Sequence, residues 1–574
     1  MLGALAILVL GLFQTQVIKG RDYRARSENN RMRLIRLEAP RGDIFDRSGI
    51  LLATNRPAYH VYLIPEDFDP EELPMLSKLL SLSGEEIRLR TAVSRYASFT
   101  PVLVKQDVSK EVAMQIEEQR PKLGGVLIQV QFIRTYPLGK IGAHTIGYVG
   151  KISKEEYAER DRSIYHFDSW IGRVGIEREY DLVLRGEDGG RQLEVNAKGV
   201  PIRLLSEQKP KGGSNVRLTL DTKLEALLRP LLGDRRGAIL VMDLKTGNLI
   251  ADISTPVFDP NAFVSPSRQA ERLSLIRAKE RPLFDRGFNG LYPPGSIFKL
   301  VTAMAGLETG VITPHTTFSC PGYFRLNPNS RKFKCWFEEG HGRIDLYTAI
   351  ERSCNVYFYQ VGRLVGSKRL AAYARKIGFG SSSEIDLPTA SGLVPDEDWK
   401  NERYQDPWYA GETISFAIGQ SYLLVSPLQI LRLISTVATD GRVSGPKLVL
   451  EPASNHFIPK NKKILELGKN ALVRDIHPTT FRVLRQAMLQ AVASDKGTAQ
   501  FARVDFGKLA AKTGTAQAPP GDAHAWFGGF YPYEDPQIGV VVFVERGRSG
   551  GITAARIAKE VVEQWSLSHG PASV

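Results

Sequence analysis

The sequence predicts an α+β protein in two parts behind a short apolar segment. Three features point there: an uncharged, almost wholly apolar stretch at the start, a polar Lys/Pro/Gly-rich break at residues 206–215, and strand-like runs at both ends of a mainly helical region after it. Strands at the two ends with helices between them argue for an antiparallel sheet covered by helices. The boundaries that follow are residues 1–18 as a membrane anchor, 19–205 as a mixed α/β pedestal, 206–215 as a linker and 216–574 as the main domain.

Composition removes other classes. Among 574 residues, 76 are basic and 62 acidic, a net charge of +14, and 43% are hydrophobic, too many for a disordered chain. Only 3 cysteines are present, too few for a disulfide scaffold. No zinc-knuckle, homeodomain or RNP signature accompanies the positive charge, so nucleic acid is not an expected partner. Met1 to Ile18 carries no charge, and as a helix would reach about 27 Å, just enough to cross a bilayer. It lacks both the basic start and the A-x-A-like site of a cleaved signal peptide, so an uncleaved anchor is expected. Lys19, Arg21, Arg24 and Arg26 follow it directly, against the positive-inside rule for a chain whose bulk lies outside.

Beyond the anchor, Arg41 to Ala53 reads as strand, turn, strand, with Asp46 to Gly49 as the turn. Past the linker, Val216 to Leu220 reads as a strand and Thr222 to Leu232 as a helix. A hairpin follows, from Ala238 to Met242 and Asn248 to Ile253 around Lys245-Thr246-Gly247. Near the end, Ile538 to Val544 (IGVVVFV) is a buried strand and Ile552 to Trp565 a closing helix.

The chemistry concentrates after Tyr292-Pro293-Pro294-Gly295. A helix is predicted from Ser296, stopped by Gly310, and its apolar residues Ile297, Phe298, Leu300, Val301, Met304 and Leu307 point almost all round, so Lys299 is an interior lysine. Ser296 and Lys299, three apart, share a helix face. A serine hydroxyl needs an adjacent base to act as a nucleophile, and a desolvated lysine with a lowered pKa can be that base. S-x-x-K alone is weak: Ser206 to Lys209 repeats it, K-T-G occurs at both Lys245 and Lys512, and S-x-N at both Ser27 and Ser353. One ordered set is coherent, Ser296 and Lys299, then Ser353 and Asn355, then Lys512-Thr513-Gly514-Thr515. Alternation along the last segment places Thr513 and Thr515 on one face and Lys512 on the other, with Gly514 leaving room for a substrate backbone.

This triplet resembles the penicillin-binding proteins and serine β-lactamases, whose S-x-x-K, S-x-N and K-T-G sets line one cleft between a helical and a sheet subdomain. Arg41-Gly42, Asp46-Arg47, Gly49 and Gly172 to Gly189 (GRVGIEREYDLVLRGEDG) look like class B high-molecular-weight members, and Gly142-Ala143-His144, Gly340-His341-Gly342 and Glu412 to Gln420 like the elongation type. The resemblance implies a peptidoglycan D,D-transpeptidase fold and activity. It implies Ser296 as nucleophile, Lys299 as its base, Ser353 as proton relay beside Lys512, and Asn355 orienting the substrate amide. Thr513, Gly514 and Thr515 would bind substrate, with the backbone N–H groups of Ser296 and Thr515 as oxyanion hole. Implied partners are stem peptides, β-lactams as inhibitors, a SEDS-family glycosyltransferase, elongation scaffold proteins and the inner membrane, with the catalytic domain on its outer face. A septal transpeptidase, a β-lactam-sensing receptor and a β-lactamase are the rival readings, the last lacking an identifiable deacylating glutamate.

Cys320, Cys335 and Cys354 fall close together with His341, and Cys354 lies inside Ser353-Cys354-Asn355. Three thiolates and an imidazole suit a structural tetrahedral zinc; a Cys320 to Cys335 disulfide and unlinked thiols are the alternatives. The acyl transfer itself requires no cofactor. His524 is expected to be structural, and Trp336, Trp408 and Tyr422 to line a groove or pack in the core.

Overall fold

The structure, a computed structural model, describes residues 3, 11–19, 32–92, 101–195, 201–382, 385–443, 446–452, 471–472 and 475–570. The expected anchor lies largely outside the described residues, as does the decoy serine at position 27. Among the described residues no helix is long and apolar enough to cross a membrane.

In the pedestal, Asp46 closes the expected turn between strands Ile44–Phe45 and Leu51–Leu63, accepting hydrogen bonds from the N–H groups of Ser48 and Ile50 at 2.8 Å each. Its other oxygen accepts from the Thr222 hydroxyl at 2.7 Å, which ties the turn to the following domain. Leu51–Leu63 pairs along its length with Val126–Thr135 and, near its end, with Val102–Val108. Strand Val216–Leu218 inserts between Ile44–Phe45, in parallel, and Val449–Pro452, antiparallel, so one sheet is shared by the two halves of the chain. A separate sheet joins Met32–Leu37, Gly189–Val195 and Pro201–Gln208. The last of these strands takes the first residues of the stretch read as linker, because Ser206 to Gln208 still find partners on Gln192 to Gly190.

Under this sheet system lies a buried ionic knot. Arg41 donates to Glu177 at 2.9 Å and to Asp181 at 2.8 Å, while Arg134 pairs with the other oxygen of Glu177 and donates to the carbonyl of Gly42 at 2.8 Å. Glu177 is fully buried. Gly42 admits no side chain, since a Cβ would stand 2.0 Å from the carbonyl oxygen of Ser214.

The main domain is a five-stranded antiparallel sheet in the order Leu249–Thr255, Gly237–Asp243, Ile538–Val544, His524–Tyr531, Ala510–Ala516. Both faces are covered, which is why its central strand is apolar without a break: Val541 and Phe543 join the core on the side of helices Lys299–Glu308 and Pro427–Ala438, while Val540, Val542 and Val544 join the core under helix Ala555–His569. The expected hairpin turn at Lys245 is present, its N–H bonded to Asp243 at 2.8 Å. Two helix starts differ from the sequence reading. Gly295–Phe298 is a tight 3₁₀ turn before the α-helix at Lys299, and a π-helical turn, Gly550–Ala554, precedes the closing helix.

Glu177→Ala should strand two buried guanidinium groups and lower stability by about 3–5 kcal/mol. Chemical denaturation followed by circular dichroism checks it; a loss below about 1 kcal/mol would mean the knot is not what holds the pedestal.

Candidate active site

The serine turn is held from three sides. The N–H of Gly295 bonds the carbonyl of Gly419 at 3.0 Å, the indole of Trp526 donates to the carbonyl of Pro293 at 3.0 Å, and the Tyr292 hydroxyl donates to Glu545 at 2.7 Å. Arg286 and Arg236 pair with the same Glu545 carboxylate at 2.8 and 2.9 Å. This clamp was not visible in the sequence, because its members lie far apart in the chain and no motif joins Tyr292 to Glu545.

Lys299 is fully buried one helical turn beyond Ser296. Its ammonium donates to the Ser353 carbonyl at 2.7 Å, to the Asn355 side-chain oxygen at 2.7 Å and to the Ser353 hydroxyl at 3.3 Å. No hydrogen bond runs from Lys299 to the Ser296 hydroxyl; catalytic contacts of this kind often close only on a bound substrate. Burial pushes Lys299 down from 10.5 to about 8, with the Cys354 and Cys335 sulfurs pulling weakly the other way.

From the sheet edge, Lys512 donates to the Ser353 hydroxyl at 2.8 Å and to the carbonyl of Thr513 at 2.9 Å. Burial, reinforced by the charge of Lys299, holds Lys512 well below the ordinary lysine value. The Ser353 oxygen thus receives N–H groups from both lysines, which leaves its own proton to be donated. Ser353 reaches this place with φ of 53°, a left-handed conformation unusual for serine.

The expected alternation holds along Ala510–Ala516. Ala510 and Ala516, and with them Lys512, face the helical core, whereas Ala511 joins the opposite core and Thr515 accepts from the N–H of Gly550 at 3.2 Å on that side. Gly514 has a second steric reason to be glycine. A Cβ there would stand 2.8 Å from the Pro294 carbonyl and 3.2 Å from Ile297, so the bare backbone lets the strand press on the serine turn. Ser296, Ser353, Asn355, Thr513 and Thr515 all border one open cleft of about 1200 Å³.

The three cysteines are buried free thiols, and with His341 their ligand atoms all lie within 4.8 Å of one another. Cys320 ends strand Phe318–Cys320, which pairs with Gly342–Ile344 beside His341. Cys335 lies far below the usual thiol range through hydrogen bonds from the Cys354 thiol and His341, and Cys354 correspondingly far above it. Asn355 donates to the carbonyl of Lys334, next to Cys335, at 3.3 Å. Trp336 and Tyr422 line the cleft; Trp408 instead packs on Phe416 and bonds Thr413. His524 packs edge-on against Tyr292 outside the lysine cluster.

Residues 237–563 match the family described as penicillin binding protein transpeptidase domain, and residues 36–218 the penicillin-binding protein dimerisation domain. The chain is 33% identical over 570 residues to the peptidoglycan D,D-transpeptidase MrdA of Escherichia coli K12, covering 95% of this chain and 89% of that one. Its fold superposes on the penicillin-binding protein PBP2 of Helicobacter pylori, solved in complex with MreC, with a TM-score of 0.81 at 29% identity, covering 94% and 99% of the two chains. A structure titled for the coordination of polymerization and crosslinking by a peptidoglycan synthase complex matches with a TM-score of 0.71 at 30% identity, covering 100% of this chain and 98% of that one.

Proposed function

Because the chain belongs to the penicillin-binding protein transpeptidase family, we propose that its lysine-flanked cleft carries out acyl transfer through Ser296. The protein is a serine-type peptidoglycan D,D-transpeptidase of the elongation type, which cross-links stem peptides during cell-wall growth. The observation that carries the residue assignment is the meeting of Lys299 and Lys512 at one oxygen, Ser353 Oγ.

In the first step Ser296 Oγ bonds to the carbonyl carbon of the penultimate D-alanine. Lys299, whose amine burial makes easier to deprotonate, takes the hydroxyl proton in its unprotonated form. Ser353, bonded by the amines of both Lys299 and Lys512, hands its own proton to the departing amine of the terminal D-alanine as the amide C–N bond breaks and takes one back from Lys299. Asn355 orients the substrate amide, and Thr513 and Thr515 hold the terminal carboxylate. Backbone N–H groups of Ser296 and Thr515 receive the oxyanion, each such donor being worth roughly 3 kcal/mol in comparable sites. The amine of a second stem peptide then attacks the ester, restoring Ser296 and forming the cross-link. A β-lactam enters by the same first step and stays bound.

Cys320, Cys335, His341 and Cys354 suit a structural zinc. The donor set is three soft sulfurs and one imidazole, a closed set of four, gathered tightly enough for tetrahedral ligation. Bound there, the ion would supply no chemistry to the acyl transfer; it would fix the chain on either side of Cys354, hence Ser353 and Asn355. Residues 1–18 serve as an uncleaved anchor in the cytoplasmic membrane, with the rest of the chain on its outer face. The MreC-bound relative and the synthase-complex relative support a scaffold partner and a SEDS-family glycosyltransferase partner for this chain.

Ser296→Ala should abolish labelling by fluorescent penicillin while the melting temperature changes little; persistent labelling would remove Ser296 as nucleophile. In the parent, the acylation rate should climb with pH and level off above about 8, since only the unprotonated Lys299 amine accepts a proton. A rate that falls across that range in stopped-flow measurements would contradict the assignment. Metal analysis should find about one zinc per chain, and a chelator should lower the melting temperature. A Cys320 to Cys335 disulfide in intact-mass data would overturn the zinc site.

A further inference from the structure

Outside the catalytic lysines, the charge lining the cleft is one-sided. Arg331, Lys332 and Lys334 come from the segment that carries Cys335, and Lys496 from the loop after helix Pro478–Ala493. Among the described residues the one carboxylate on the lining is Glu412, and it is held by the buried Lys400 at 2.8 Å. Nearby acids engage the four cations little. Glu338 meets Lys334 at 3.7 Å with both side chains exposed, and Asp495, beside Lys496, pairs instead with Arg503 at 3.2 Å.

Two of these cations are oriented by aromatic faces rather than by acids. The Arg331 guanidinium lies 4.8 Å from the centre of the Phe333 ring, and the Lys332 ammonium 4.4 Å from that of Tyr323. Ring contacts aim the side chains without neutralising them, so the positive field stays directed at what enters the cleft. The D-alanine carboxylate at the reacting end is already assigned to Thr513 and Thr515. The four remaining cations are therefore surplus to the chemistry.

We propose that Arg331, Lys332, Lys334 and Lys496 form a specificity wall that reads a side-chain carboxylate carried by the stem peptide upstream of the reacting amide. The proposal rests on the transpeptidase reading of the cleft and adds a substrate class to it, an anionic rather than a neutral, amidated stem peptide. A wall of exposed cations acts through summed, salt-sensitive attraction rather than through one bidentate contact. It sets peptide affinity and leaves the acyl transfer at Ser296 alone.

The test uses two stem peptides ending in D-Ala-D-Ala that differ only in whether the upstream side-chain carboxyl is free or amidated. Each is titrated calorimetrically into the full-length Ser296→Ala chain in detergent, at about 50 and about 500 mM NaCl. The free acid should bind about 10-fold tighter at low salt, and the ratio should fall toward unity at high salt. A variant with Arg331, Lys332, Lys334 and Lys496 each changed to Gln should bind both peptides as the parent binds the amide. With Ser296 present, the same four changes should leave the rate of penicillin labelling unchanged. Equal affinity of the parent for the two peptides at low salt overturns the proposal whatever the variant does, and so does selectivity that survives the four substitutions. Failure of the parent to take up penicillin at Ser296 would instead strike the transpeptidase reading and leave the peptide comparison standing on its own.

Discussion

The site depends on the exclusion of water from two lysines that share one serine. Taken out of solvent side by side, Lys299 and Lys512 cannot both hold a full charge cheaply, and the pair is driven toward a state with a proton missing. The amine left without that proton is the base that the proposed acyl transfer needs. Every neighbouring feature maintains the exclusion. The serine helix is buried from Leu300 to Gly306, Trp526 seals the turn from the sheet side, and the bare backbone of Gly514 lets the edge strand close against Pro294. The left-handed backbone at Ser353 is the local cost of placing one hydroxyl between two lysine amines.

A second buried polar centre, far along the chain from the first, organises the pedestal. The segments around Arg41 and Glu177, separated by more than a hundred residues of sequence, are the two faces of one ionic knot with Arg134. Fully desolvated guanidinium and carboxylate groups tolerate no slack: each must keep its partners, so the knot fixes the relative placement of the segments that carry it. The knot also reaches Gly42, and the turn that follows it is bonded through Asp46 to Thr222. The pedestal is thereby coupled to the main domain through hydrogen bonds and a shared strand, not through apolar packing alone.

Much of this was legible in the sequence where a local pattern encodes it. The strand at Ile538 was found at its true ends because a sheet buried on both faces leaves an unbroken apolar run, and the role of Lys299 as an interior lysine followed from apolar residues all round its helix. The two faces of the Lys512 strand followed from simple alternation. What stayed hidden was non-local. The Tyr292, Glu545 and Arg286 clamp has no spacing rule, and the purpose of Gly514 depends on Pro294, a residue more than two hundred positions away. The 3₁₀ start at Gly295 escaped because helical periodicity cannot tell a tight first turn from an α one. Ser206 to Gln208 read as linker from composition, yet strand pairing with Gly190 to Gln192 overrode their polarity.

One hairpin brings the remaining threads together. The short strand Phe333–Lys334 sits between the cationic residues Arg331 and Lys332 on one side and Cys335 on the other, and the carbonyl of Lys334 accepts from both Asn355 and the Tyr359 hydroxyl. Cys354 stands between Ser353 and Asn355 and caps the helix they begin, its sulfur accepting from the N–H of Tyr357. A displacement of the sulfur cluster would therefore move the backbone that aims Ser353 at two lysines and, through Lys334, the side chains that face the incoming peptide. Packing Cys320, Cys335, His341 and Cys354 into one small volume restrains such a displacement without placing any group of the cluster in the acyl transfer. Rigidity in the loop and freedom of the reacting atoms are thus supplied by different residues, joined through the backbone at Cys354 and the carbonyl of Lys334.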